Sequence, residues 1–251
     1  MTVIGTIEAR MGSSRLPGKT MTLLHNGMPL LECVVRRFRE CRMLDSVVVA
    51  TTVGRSDDAI TEWCEKNSVP VFRGSEENVL DRVVGAAQLH GADAIVQMGA
   101  DSAYLDYHLI DQLVEYYRKG KFDYVCNDLK LTYPLGIYGH VVRVERLAAL
   151  NQRNDLSEQD RSDVVRYIWE HSETYSISNI EAPESLCHPE LRLTIDYPED
   201  LDQAKNVYAH LGLLFTTQQI IDLYLRMPEL FEKTMHLVQR SAPFIKGNSS
   251  G

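Results

Sequence analysis

The turn from Ala9 to Lys19, ARMGSSRLPGK, holds three cations (Arg10, Arg15, Lys19), two hydroxyls (Ser13, Ser14) and two glycines (Gly12, Gly18). It closes a short apolar run rich in β-branched residues, Thr2 to Ala9, which puts it at the carboxyl end of a strand, where phosphate loops sit. Glycines permit positive φ and close backbone approach. Backbone N–H groups, hydroxyls and cations together can wrap a triphosphate. The spacing is neither GxxxxGK[ST] nor GxGxxG, and a basic surface turn would have the same composition.

A triphosphate brings a divalent ion, and Mg²⁺ takes one or two carboxylates plus phosphate oxygens and water. Two acids stand in suitable places. Asp101 follows the strand-like run AIVQM and a Gly-Ala pair, and Asp196 follows LRLTI and precedes Tyr197-Pro198-Glu199-Asp200. Asp196 reads equally as a helix N-cap ahead of Pro198. Glu199 and Asp200 suit the dipole of that helix.

The elements that must position these groups alternate. Strands are expected at Thr2–Ala9, Ser46–Thr52, Val69–Phe72, Ala94–Met98 and Tyr124–Cys126, and helices at Leu30–Cys41, Asp57–Asn67, Val79–His90 and His108–Lys119. Such alternation implies parallel βαβ crossovers, a sheet covered on both faces, and a ligand site beyond the strands' carboxyl ends. From about 129 to 190 the pattern fades into turn-rich sequence with one helix at Asp163–His171. A strand at Leu191–Ile195 and helices at Pro198–Leu211 and Thr217–Leu225 follow. The chain thus reads as one domain over 1–245, with 129–190 as an acceptor or dimerisation arm and 246–251 as a flexible tail.

A net charge of −9 over 251 residues argues against a nucleic-acid partner, which needs a basic stripe. Five scattered cysteines without CxxC spacing suggest reduced thiols. No signal peptide or membrane span is visible, so a cytoplasmic protein without membrane insertion is expected.

The run IEARMGSSRLPGK resembles the signature of the spore-coat-polysaccharide type cytidylyltransferases, relatives of the CMP-Kdo and CMP-sialate synthetases, whose loop reads approximately A-R-x-x-S-x-R-L-P-G-K. GADSAYLD at 99–106 resembles their T-G-D-x-P-L-I-D segment, and RLTIDYPEDL at 192–201 resembles R-L-T-V-D-T-P-E-D-L. The resemblance implies a three-layer Rossmann-like nucleotidyltransferase fold (GT-A-like) with a mostly parallel central sheet. It also implies CTP as substrate, Mg²⁺ on Asp101 and Asp196, and a homodimer. It places Ala9, Arg10, Ser13, Ser14, Arg15 and Lys19 around the nucleotide phosphates, with Arg10, Lys19, Asp101 and Asp196 as the catalytic set. FRGSEENVLDR at 72–82 resembles the family's R-G-S-E-x-x-V-L-x-R segment, which makes Arg73, Gly74 and Ser75, with Thr51, candidates for the nucleobase or ribose. Ser75 as a helix N-cap with Asn78 at N3 is the competing reading.

The acceptor segment departs from the family. Asn127, Tyr133 and Arg161 fit its pattern, but Tyr138 and His140 stand where Asp and Glu are expected, and Gln97 stands where relatives often have a basic residue. Asn127, Tyr133, His140 and Arg161 are therefore the acceptor candidates. His140 with Arg143, Arg161 and Arg166 suggests an acceptor bearing an anion, such as a sugar acid, phosphate or phosphonate. The expected reaction transfers CMP from CTP to that acceptor for glycan or surface-polysaccharide synthesis. Two other readings stay open. A nucleotide-sugar-dependent glycosyltransferase would carry a D-x-D motif where this chain has Asp101-Ser102-Ala103, and a non-catalytic nucleotide-binding paralogue would bind without turnover.

Overall fold

A computed structural model describes residues 1–13 and 15–237; the expected tail at 246–251 lies outside them. The β-strands are β1 (Val3–Glu8), β2 (Leu23–His25), β3 (Met28–Pro29), β4 (Ser46–Thr52), β5 (Val71–Gly74), β6 (Ala94–Gly99), β7 (Tyr124–Cys126), β8 (His140–Arg143) and β9 (Ile177–Asn179). The helices are α1 (Leu30–Arg39), α2 (Asp58–Lys66), α3 (Val79–Leu89), α4 (Tyr107–Lys119), α5 (Val144–Asn151), α6 (Glu158–Ser162), α7 (Arg166–Glu170), α8 (Pro198–Leu211), α9 (Thr217–Arg226) and α10 (Glu232–Met235).

Seven strands form one sheet in the order β5-β4-β1-β6-β8-β7-β9, and β2 and β3 form a small hairpin. β1 pairs in parallel with β4 and β6, whereas β8 runs antiparallel between β6 and β7. The mixed but mostly parallel sheet is the expected fold class. Side-chain alternation divides the core between its faces. Val3 and Ile7 pack toward α1, α4 and α8, while Ile4, Val48 and Ile95 pack toward α3 and α5. Central strands buried on both sides read as continuous apolar runs, which is why VIGTIE and SVVVATT stand out.

Three expectations are corrected. Leu191–Ile195 forms no strand; it makes an isolated bridge, Leu135 to Arg192, with Leu135 N donating to Leu191 O at 2.9 Å. The chain crosses there at Gly136, whose φ is +102° and where a Cβ would lie 2.1 Å from the Leu193 carbonyl oxygen, so only glycine fits. Of the helix expected at Asp163–His171 only α7, Arg166–Glu170, forms, and a separate short helix, α6, precedes it. The stretch 129–190, expected as an irregular arm, supplies β8 and β9 to the main sheet. β8 is four residues long, too short to show an alternation pattern.

Candidate active site

The carboxyl ends of β1, β4 and β6 lie side by side, and the Ala9–Lys19 turn closes over them. Its shape is fixed from within: the Met11 carbonyl accepts from Ser13 N and Gly18 N, both at 3.0 Å, and Thr20 Oγ1 donates to Arg10 O at 2.8 Å. Gly18 takes φ +75° and leads into a short 3₁₀ turn, Lys19–Met21. From outside the turn, the buried Asp57 carboxylate accepts from Met11 N at 2.7 Å and from Thr52 Oγ1 at 2.5 Å. Asp57 thereby ties the turn to β4. Nothing in its local sequence marks that role, because its partner is 46 residues away.

Asp101 and Asp196, 95 positions apart in the chain, converge. Lys19 Nζ lies 2.6 Å from Asp101 Oδ2 and 3.7 Å from Asp196 Oδ1, and it donates to the Ile195 carbonyl at 2.7 Å. Arg15 Nη2 donates to Asp196 Oδ1 at 2.6 Å. Asp196 is free to do this because the helix start beyond it is satisfied by Asp200, whose Oδ2 accepts from Asp196 N and Tyr197 N. Asp200 is in turn fully buried in a bidentate pair with Arg192, both contacts at 2.9 Å. Two hard-oxygen carboxylates aimed at one ammonium suit a divalent cation once that ammonium turns to a phosphate chain. Among the described residues no group of three or more metal-ligating side chains gathers, and Mg²⁺ with a triphosphate does not require one.

Two cavities meet at this cluster. The smaller, of 270 Å³, is bordered by Arg10, Gly12, Ser13, Lys19 and Thr20. The larger, of 590 Å³, runs along β6 and β8 past Gln97, Asp128, Tyr133, His140 and Arg166. Glu8, Arg15, Asp101 and Asp196 border both. Two adjoining polar cavities sharing a cation-bridged carboxylate pair suit a reaction between two small molecules, one carrying a phosphate chain.

Comparison with known proteins agrees. The cytidylyltransferase family model matches residues 4–232. The chain belongs to the cytidylyltransferase family. Its relatives include the spore coat polysaccharide biosynthesis protein SpsF of Bacillus subtilis, 35% identical over 214 residues, covering 84% of this chain and 88% of SpsF. The 8-amino-3,8-dideoxy-manno-octulosonate cytidylyltransferase of Shewanella amazonensis is 26% identical over 231 residues, 91% of this chain and 80% of that protein. A cytidylyltransferase structure from Leptospira borgpetersenii superposes with a TM-score of 0.86 at 27% identity, over 96% of this chain and all of that one.

In this cytidylyltransferase the candidates do not all reach the two cavities. Arg10, Ser13, Arg15, Lys19, Asp101 and Asp196 border the smaller one. Ala9 is buried, its N–H donating to Ala50 O, and Ser14 lies outside the described residues. Thr51, Arg73, Gly74 and Ser75 line neither cavity. Thr51 is fully buried, and among the described residues its hydroxyl has no hydrogen-bond partner. Arg73 is engaged by the Thr52 and Gly54 carbonyls and by Asp58. Asn78, not Ser75, caps α3 by accepting from Asp81 N at 3.0 Å; Ser75 Oγ accepts from Asn78 N.

On the acceptor side, Tyr133 and Asn127 border the larger cavity. Asn127 uses its amide to donate to Ile137 O and to accept from Gly139 N, so it holds the loop before β8. Arg161 does not line the cavity; it donates to the Arg153 carbonyl. Arg143 pairs with Asp123 and Phe122 O. His140 has both ring nitrogens occupied, Nδ1 by Gln97 Oε1 at 3.0 Å and Nε2 by Asp128 Oδ2 at 2.9 Å. Burial opposes a charge on this ring, but Asp128, Asp163 and Glu8 outweigh it and raise its pKa. Of the four basic residues expected to grip an anion, His140 and Arg166 border the larger cavity, and both are already engaged, Arg166 by Gln159 at 2.6 Å and Glu170 at 3.0 Å. The sequence reading also passed over Glu8, which ends β1 on the same rim. Burial pushes the Glu8 carboxyl up to about 7, against a hydrogen bond from Gln97.

Proposed function

We propose that this cytidylyltransferase transfers CMP from CTP to a hydroxyl of a sugar acid, releasing pyrophosphate, with Mg²⁺ held by Asp101 and Asp196. The observation that carries this reading is the convergence of both aspartates on Lys19 where the two cavities join. Bound there, Mg²⁺ would neutralise charge on the triphosphate. Arg10, Arg15 and Lys19 bind the phosphates and stabilise charge that builds on the departing pyrophosphate. Backbone N–H groups of the Ala9–Lys19 turn orient the chain, and the fixed turn pays ordering entropy before CTP arrives.

The acceptor enters the larger cavity, its hydroxyl toward Glu8, Asp101 and Asp196 and its carboxylate toward Arg15 or Arg166. The relatives' names support surface-polysaccharide synthesis as the setting. A homodimer in the cytoplasm belongs to the same reading, and sedimentation of the purified chain tests the dimer. The reaction is tested by pyrophosphate release from CTP and Mg²⁺ with sugar acids, neutral sugars, phosphates and phosphonates. Turnover with sugar acids is expected. Turnover confined to neutral sugars, or CTP binding with no turnover on any acceptor, defeats the reading.

A further inference from the structure

Four side chains join end to end along the carboxyl rim of the sheet. Gln97 Nε2 donates to Glu8 Oε1 at 2.6 Å, Gln97 Oε1 accepts from His140 Nδ1 at 3.0 Å, and His140 Nε2 donates to Asp128 Oδ2 at 2.9 Å. The row follows strand order. Glu8 ends β1, Gln97 lies on β6 opposite His140 on β8, and Asp128 follows β7. All four border the larger cavity, and Glu8 alone among them also borders the smaller one. The imidazole lies in a T-shaped contact with Tyr124 and a tilted one with Tyr138, at ring separations of 5.7 and 5.1 Å, so the row is packed as well as bonded.

Glu8 differs from the two aspartates beside it. Lys19 and Arg15 engage Asp101 and Asp196, whereas Glu8 takes its side-chain hydrogen bond from a neutral amide through Oε1. Among the described residues its Oε2 has no hydrogen-bond partner. A carboxylate without a bound cation, with one oxygen fixed and the other open where two cavities join, is placed to accept a proton.

We infer that Glu8 is the general base of the transfer, taking the proton of the attacking acceptor hydroxyl, and that Gln97 and His140 are positioning residues that aim it. This rests on the sugar-hydroxyl reading above. In the step, the acceptor O–H bond breaks and its proton passes to a Glu8 carboxylate oxygen. The acceptor oxygen forms a bond to the α-phosphorus of CTP, and the bond from that phosphorus to the α,β-bridging oxygen breaks. Pyrophosphate leaves with the electron pair. The environment favours a base that works near neutrality: burial raises the carboxyl, Asp101 and Asp163 act in the same direction, and Gln97 and Arg82 oppose. Arg10, Arg15, Lys19 and Asp196 border the smaller cavity with it, and Asp128, His140 and Arg166 border the larger one.

The test compares wild type with Glu8→Gln, an isosteric change that can still bond with Gln97. Pyrophosphate release is measured with CTP, Mg²⁺ and the sugar acid that the wild type turns over. A positioned general base contributes about 10²- to 10⁴-fold. Glu8→Gln is therefore expected to lose at least about 100-fold in kcat, with CTP affinity and melting temperature close to wild type. The wild-type kcat should fall as pH drops below neutrality, and the variant should lack that limb. Gln97→Met should lower kcat while leaving KM for CTP unchanged, a split that general loosening of the fold would not produce. A Glu8→Gln enzyme with kcat within threefold of wild type, or with the acidic limb intact, overturns the assignment. If Glu8→Gln fails to fold, Glu8→Asp decides: it keeps the base but shortens its reach, so an unchanged kcat overturns the proposal. A wild type that turns over no sugar hydroxyl overturns the parent reading and this one together, whereas a normal wild type beside an unaffected variant overturns this one alone.

Discussion

Lys19 and Arg37 are both cations drawn into the body of the protein, and their surroundings have opposite character. Arg37, on α1, is fully buried, and its guanidinium donates to the carbonyls of Leu105, Leu213 (2.6 Å) and Phe215 (2.7 Å) while stacking 3.8 Å from the Phe215 ring. Fixed backbone oxygens satisfy it, and neither active-site cavity touches it. Lys19 donates to one carbonyl, that of Ile195, but its other partners are two carboxylates on separate segments, one of them about a third exposed, at the mouth of a cavity. Carbonyls cannot leave, so Arg37 is a permanent tie between α1 and two loops. On the function proposed above, the carboxylates around Lys19 exchange their cation, and that cluster is then held together by a replaceable charge.

Removing each cation should therefore damage different properties. Lys19→Met is expected to lower kcat/KM for CTP by about 10³-fold, roughly 4 kcal/mol of transition-state stabilisation, while the melting temperature changes little when Mg²⁺ is present to occupy the carboxylates. Steady-state kinetics beside a thermal melt reads both. A loss smaller than about tenfold would show that Lys19 serves the apo fold rather than the phosphates. Arg37→Met should do the reverse. Stranding several buried carbonyls at about 1–3 kcal/mol each should cost roughly 3 kcal/mol or more in urea unfolding, with kcat at low temperature within about twofold of wild type. A stable Arg37→Met protein would mean that the loops carrying Leu105 and Phe215 hold themselves.

Asp57 stands between these extremes, because it is buried like Arg37 but serves the active turn. Asp57→Ala frees Met11 N and Thr52 Oγ1, so the turn over the phosphates must order itself when CTP binds. KM for CTP is expected to rise about tenfold, with kcat changed less and stability lower by about 1–2 kcal/mol. Equal losses in kcat and kcat/KM would instead place Asp57 in the transition state.

The same contrast explains what the sequence could disclose. The parallel half was legible because β1, β4 and β6 are buried on both faces and their loops fall on one rim, so Arg10, Lys19 and Asp101 could be placed on that rim from chain position, and the family resemblance supplied the roles expected of them. Asp196 was picked out by its place after LRLTI and by its segment's resemblance, although that strand did not form: the run has strand composition but makes a single bridge, Arg192 to Leu135. Asp57 and Glu8 were missed for a different reason. Their roles come from long-range partners, Met11 N and Gln97, and nothing local distinguishes them from a capping acid and a surface acid. On the acceptor side, arginines that look available in sequence are spent on neighbours the sequence does not reveal, Arg161 on a carbonyl and Arg143 on Asp123.

The smallest effect expected is the pH dependence of the row that ends at His140. Its ring is buried, which disfavours charge, yet Asp128, Asp163 and Glu8 raise its pKa above the ordinary histidine value. A group whose folded pKa is raised binds its proton more tightly in the folded state than in the unfolded one. The stability it adds is full below the unfolded value, near 6.5, and is lost as pH rises through the folded value. His140→Asn should thus be less stable than wild type by the widest margin in mildly acidic solution, and the two melting curves should draw together as pH increases. A gap that stays constant with pH would show that the ring contributes packing against Tyr124 and Tyr138 and no charge. The row would then be neutral, with Gln97 turned to offer its nitrogen to the ring and its oxygen to a protonated Glu8, which would remove the reason for placing the base there.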